Sequence, residues 1–175
     1  LSEDEFAPVI SNILNQYPAL SGHNWAARRG DVSQYGGSLE FFNPDEPTNP
    51  YPGRPTIEVY DKNLTGDALQ RAVFGDMLHY MPQVDPKFRD FREQFRGSLT
   101  PEQREFDRRK YNQLHSSGKE TRSYDDWMDR SWLDAYIRGY LAPDERDEWR
   151  KSGTYTDKQT YLLEAMRHYL AQPRK

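Results

Sequence analysis

Thr65–Pro86, TGDALQRAVFGDMLHYMPQVDP, is the stretch on which the reading of this chain turns. At 100° per residue, Ala68, Ala72, Gly75 and His79 fall within about 60° of one another, with Asp76 at the edge of the stripe. Leu69, Val73, Phe74, Met77, Leu78, Tyr80 and Met81 cover the remaining circumference. A helix apolar over most of its surface belongs in a core, so this segment is expected at the centre of the fold. Buried polar groups need partners. An Asp and a His in the small stripe therefore ask for a structural or a chemical reason.

Working outward, Thr56–Tyr60 (TIEVY) alternates in strand fashion and is rich in β-formers, and Ser38–Phe42 (SLEFF) has the same character. The two are expected to pair antiparallel beside the Thr65 helix. The surrounding segment, about residues 21–55, is rich in Gly, Pro, Asn and Ser and reads as an ordered, loop-rich insert with turns at Asn43-Pro44 and Pro52-Gly53. Before it, Ser2 and the acidic Glu3, Asp4 and Glu5 suit the start of a helix whose apolar stripe is Phe6, Ile10, Ile13 and Leu14.

Beyond the central stretch the chain reads as helical. Asp85-Pro86 is an N-cap followed by proline at the first helical position, and Phe88, Phe91 and Phe95 form a stripe ended by Gly97. Thr100 and Gln103 form a capping box for a polar helix anchored by Phe106 and Leu114. Ser123 with Asp126 caps a helix carrying Trp127, Leu133, Tyr136, Ile137 and Tyr140. Thr156 with Gln159 caps a last helix with Tyr161, Leu162, Ala165, Met166, Tyr169 and Leu170. The expected fold is α+β and mostly helical: about six helices around a small antiparallel sheet of two to three strands, in one domain over 1–175.

Composition narrows the function classes. The 175 residues are 30% charged, yet 14% are aromatic, which argues for an ordered aromatic core under a charged exterior. A net charge of −4 gives no global attraction to nucleic acid, so a protein partner is expected instead. Without cysteine there is no disulfide framework, zinc–thiolate site or cysteine nucleophile. No apolar run approaches the ~18 residues of a membrane span. The start at Leu1 leads us to expect a piece of a longer polypeptide, with other domains as partners.

The chemistry that fits the stripe is a zinc-peptidase helix, in which two histidines one turn apart hold the metal and a glutamate beside the first serves as general base. Here His79 takes the place of the second histidine. Gly75 falls where the first would stand, Asp76 where the glutamate would stand, and Asp85 where the extended pattern has its third ligand. Two departures weigh against catalysis: Gly75 offers no ligand, and Pro82 replaces a glycine turn. Asp76 and Asp134 could supply carboxylates to a harder metal than zinc. Residues 55–170, through PTIEVYDKNLTGDALQRAVFGDMLHYM, FREQFRGSLTPEQ, WLDAYIRGYLAPDERDEW and YTDKQTYLLEAMRHYL, resemble zincin-like segments of very large phage and prophage proteins. That resemblance implies a peptidase-like scaffold in a phage virion or a bacterial cytoplasm.

The expectation is a zincin-like domain that has lost catalysis, needs no cofactor and serves binding or assembly, with Gly75 and Ala72 as packing surface or the floor of a small cleft. The rival is a divalent-metal-dependent peptidase or hydrolase using Asp76 as base, with His79 and either Asp85 or Asp134 as ligands. A third reading is an intracellular helical adaptor unrelated to peptidases. Other constellations have plainer explanations. Arg28-Arg29 near Trp25 reads as a solvated loop with an aromatic anchor. Arg104, Arg108, Arg109 and Lys110 interleave with Glu102, Glu105 and Asp107 as intrahelical ion pairs. The Arg29-Gly30-Asp31 triplet carries almost no weight as an adhesion motif.

Overall fold

The computed structural model describes residues 2–31, 33, 36–130 and 168–172. Among these the elements run α1 (Ser2–Gln16), a 3-10 turn (Pro18–Leu20), β1 (Ala26–Arg29), β2 (Leu39–Phe42), β3 (Thr56–Val59), α2 (Gly66–Val84), α3 (Pro86–Ser98) and α4 (Pro101–Ser116). A further helix, α5, occupies 124–130, and 168–171 is helical. The architecture is α+β and mostly helical, with a small three-stranded sheet. No helix among the described residues is long and apolar enough to cross a membrane.

The sheet has the order β1-β3-β2. β2 and β3 pair antiparallel, with Leu39 opposite Val59 and Phe42 opposite Thr56, as the alternation of the two segments predicts. The third strand makes the sheet mixed rather than wholly antiparallel: β1 runs parallel to β3, with Ala26 beside Thr56 and Arg29 beside Val59. Ala-Ala-Arg-Arg has little strand propensity of its own. It becomes a strand because Ala26 and Ala27 are small enough to be buried and both arginines find partners. All four residues of β3 are buried, as befits the central strand.

Contacts divide the chain into two compact units, Leu1–Tyr80 with His168–Lys175, and Met81–Arg167. In the first, Phe6, Ile13, Leu20, Ile57, Val59, Phe74, Met77, Leu78 and Leu170 are fully buried. α1 packs against β1. Tyr17 stacks on Phe74 with ring centroids 4.4 Å apart, and Phe41 of β2 stacks on Tyr80 of α2. Nonpolar burial of this kind is the main stabilising term, about 25 cal/mol for each Å² removed from water.

In the second unit, Leu99, Tyr111, Trp127 and Met128 form a core flanked by Leu114 and Tyr124. Two of the caps that the sequence announces are present. Asp85 caps α3 ahead of Pro86, and the Ser123 hydroxyl accepts the Asp126 N–H at 3.2 Å. Leu114 is half-buried, while Tyr111 is the more deeply buried anchor of α4. The expected anchor positions Phe95 and Phe106 have side chains outside the description, and the expected helices over 131–167 lie outside the described residues.

Candidate functional site

Strand β3, the short link Tyr60–Thr65 and helix α2 follow one another in the order that the motif reading requires. Asp61 organises the link: its carboxylate accepts the Asn63 N–H at 2.9 Å, and its carbonyl accepts the Leu64 N–H at 3.2 Å. From the other side Arg29 donates to the carbonyls of Asp61 and Leu64, at 2.8 and 2.6 Å. The same guanidinium pairs with Glu5 at 2.8 Å and lies over the Phe6 ring. Its hydrogen bonds and charge hold the Glu5 carboxyl below its usual range. Arg29 is therefore a strut between α1 and the entry to α2, which removes the arginine of the Arg29-Gly30-Asp31 triplet from any adhesive use.

On α2, Leu69, Val73, Phe74, Met77 and Leu78 are buried. Ala68, Ala72, Asp76 and His79 form a half-buried flank, with Gly75 buried among them. Asp76 and His79 are both engaged with neighbouring groups. The helix continues through Pro82 to Val84, so no turn forms where the extended zinc pattern has one. Asp85 lies in the second unit and is fully buried; its Oδ1 accepts the N–H of Lys87 at 2.9 Å and of Phe88 at 3.4 Å. Asp134 falls outside the described residues.

A zinc ion of the zincin kind needs three converging protein ligands. Among the described residues, no three histidine, aspartate or glutamate side chains gather into such a group. The glycine at the first ligand position is buried in helix packing, and the Asp85 carboxylate has a capping duty. The described residues do not fit that metal.

A second polar constellation lies on the sheet, and sequence reasoning missed it. Arg28, Glu58 and Glu40 occupy the same rung of β1, β3 and β2. Arg28 Nε donates to Glu58 Oε2 at 2.8 Å, and Glu58 is buried. Just past β3, the Tyr60 hydroxyl donates to Glu40 Oε2 at 2.6 Å. The Ser33 hydroxyl donates to Glu40 Oε1 at 3.0 Å while accepting the Gly37 N–H. Burial, followed by the neighbouring Glu40 and Glu58 carboxylates, pushes the Tyr60 phenol far above its ordinary range. Gly30 borders this group so closely that a Cβ there would run into the Glu58 carboxylate and the Tyr60 ring. The available signal was a glutamate at the midpoint of each strand-like segment; antiparallel pairing about those midpoints sets Glu40 against Glu58.

Elsewhere in the first unit, an open groove of 390 Å³ runs between α1 and β1, with Ile10, Leu14, Trp25, Ala27 and Arg54 among its walls. In the second unit, Arg92 and Arg96 of α3 grip the Asp129 carboxylate at 2.8 and 2.6 Å. Burial pushes the Asp129 carboxyl up, and the two guanidiniums pull it back only in part. Arg104 donates to the carbonyls of Arg96 and Gly97 at the end of α3, and Arg108 lies over the Tyr124 ring at 4.5 Å. These four arginines are structural ties. The chain matches no protein-family model, no curated protein and no solved structure.

Proposed function

We propose that this chain is a non-catalytic, zincin-like binding or assembly module of a phage- or mobile-element-derived multidomain protein. One observation carries the reading. The strand–link–helix unit of β3 and α2 presents Asp76 and His79 on a half-buried helical flank, while the first ligand position is a buried Gly75. A scaffold that keeps its histidine but packs a glycine into the neighbouring ligand position supports recognition better than hydrolysis. The duty of Asp85 as a helix cap points the same way. The phage origin rests on the resemblance of residues 55–170 alone.

Metal content of the purified full chain, with thermal unfolding in zinc, manganese or chelator, tests this. The expected result is substoichiometric metal and the same small response in wild type and His79→Ala. Stoichiometric metal that is lost in His79→Ala would overturn the proposal in favour of a metal-dependent hydrolase using Asp76, His79 and Asp85 or Asp134.

A further inference from the structure

We infer that the outer edge of β1 pairs with an extended peptide segment of a partner, one that carries a carboxylate between apolar residues. The pairing with β3 fixes which main-chain groups are already spent. Ala26 N–H donates to the Pro55 carbonyl at 2.9 Å, and Gly30 N–H donates to the Val59 carbonyl at 3.0 Å. In this parallel register the groups of residues 26, 28 and 30 face β3, and those of Ala27 and Arg29 face away. β1 ends the sheet on that side, and among the described residues nothing bonds to the main chain of Ala27 or Arg29. Ala27 is 2% exposed, so solvent does not stand in for the missing partner. Buried main-chain groups left unpaired are rare in folded proteins.

The 390 Å³ groove brings a partner to these groups. It touches Trp25, Ala26 and Ala27. The side chains of Ala26 and Ala27 point to opposite faces, and β3 fills the inner side, so a groove in contact with both runs along the outer edge. Its other wall is the flank of α1, where Ala7 and Ser11 are small and exposed and Ile10 and Leu14 are half-buried. The Arg29–Glu5 pair places α1 on the face to which Arg29 and Ala27 point. At the near end, the Trp25 carbonyl is taken by Arg54 at 2.8 Å.

An antiparallel strand in this groove exchanges N–H···O bonds with Ala27 and Arg29. Its residues opposite Trp25 and Ala27 turn their side chains toward Ile10 and Leu14, which selects apolar ones. Its residue opposite Arg28 lies on the other face. There Arg28 spends Nε on Glu58 at 2.8 Å, its side chain is 40% exposed, and among the described residues neither Nη has a partner. A carboxylate in that position completes the guanidinium, whereas a lysine meets a like charge. A second copy of the chain fits less well: the register that joins Ala27 of one β1 to Arg29 of the other sets Arg28 against Arg28. Neither α2 nor His79 takes part, so the inference does not rest on the zincin-like reading.

Proton–nitrogen NMR of the labelled full chain, titrated with the capped peptide Lys-Val-Glu-Val-Thr-Val-Lys, tests it. The Ala27 and Arg29 amide signals are expected to move saturably, and their hydrogen exchange to slow by about tenfold. Methylating the main-chain nitrogen of the valine that follows the glutamate, which removes its bond to the Ala27 carbonyl, should abolish binding. Lysine in place of the peptide glutamate should weaken binding by about threefold to tenfold. Ser11→Trp, which fills the groove from an exposed position on α1, should block it. The decisive changes are made in the peptide, so the result does not depend on how a protein variant folds. Still signals at millimolar peptide, equal binding by the methylated peptide, or movement of Leu39 and Phe41 in β2 instead of Ala27 would sink the inference.

Discussion

Replacing Asp85 by alanine and by asparagine separates a cap from a ligand. The side chain is fully buried, and its Oδ1 serves Lys87 N at 2.9 Å and Phe88 N at 3.4 Å. The second distance is beyond the usual range for such a bond, so these two contacts amount to about one full capping bond. Asp85→Ala should then cost about 1–2 kcal/mol, the upper part of the range for a lost N-cap, because the freed N–H lies in a partly dry setting. Pro86 stays in place at the first helical position, so α3 is weakened rather than abolished. Asparagine keeps an oxygen in the same position. Its loss of charge at the positive end of the helix, about 0.3–1 kcal/mol, is offset in part by relief from burying an anion. Urea unfolding is the assay: with a slope of about 2 kcal/mol/M, alanine should lower the midpoint by about 0.5–1 M, and asparagine should stay near wild type. Equal losses in the two variants would refute the reasoning, since they would mean that the charge, not the hydrogen bond, carries the role. Zinc or manganese that raised wild type but neither variant would identify that role as metal binding.

Three further outcomes are expected. Gly30→Ala drives a methyl into the Glu58 carboxylate and the Tyr60 ring; a loss of about 1–3 kcal/mol in thermal or denaturant unfolding follows from overpacking. Phe74→Ala removes a buried ring stacked on Tyr17 and should cost about 3–5 kcal/mol by the same measurement, with loss of near-ultraviolet dichroism from the first unit. Hydrogen bonds from Arg122 hold the Glu120 carboxyl down at about 2. A depressed folded value means that this pair stabilises above the ordinary glutamate value and that the contribution disappears as pH falls toward 2. Wild type should therefore exceed Arg122→Gln in stability at neutral pH, and the two should converge in acid; a gap that persists or widens at low pH would contradict the assignment.

Much of the fold is legible locally. Helix starts at Asp85 and Ser123 are written in short polar side chains placed to receive main-chain N–H groups, and both are found. The antiparallel pair β2–β3 follows from alternation. The candidate site is legible only in part. The sequence places Asp76 and His79 one turn apart on α2, but not the half-buried setting of that flank. It shows Asp85 both as a cap and as a formal ligand position, and coordinates are needed to see its oxygen in use by Lys87 and Phe88.

Periodicity and capping chemistry depend on neighbours a few residues apart, so the sequence by itself determined the helices, the hairpin-like strand pair and the apolar surface of α2. Strand β1 and the Arg28–Glu58–Tyr60–Glu40 row belong to the other class. Two alanines and two arginines have no intrinsic reason to extend. They do so because β3, thirty residues further on, offers a parallel edge to the backbone and a buried carboxylate to Arg28. Pairing between distant segments sets which charges share a rung, and only the tertiary structure decides that.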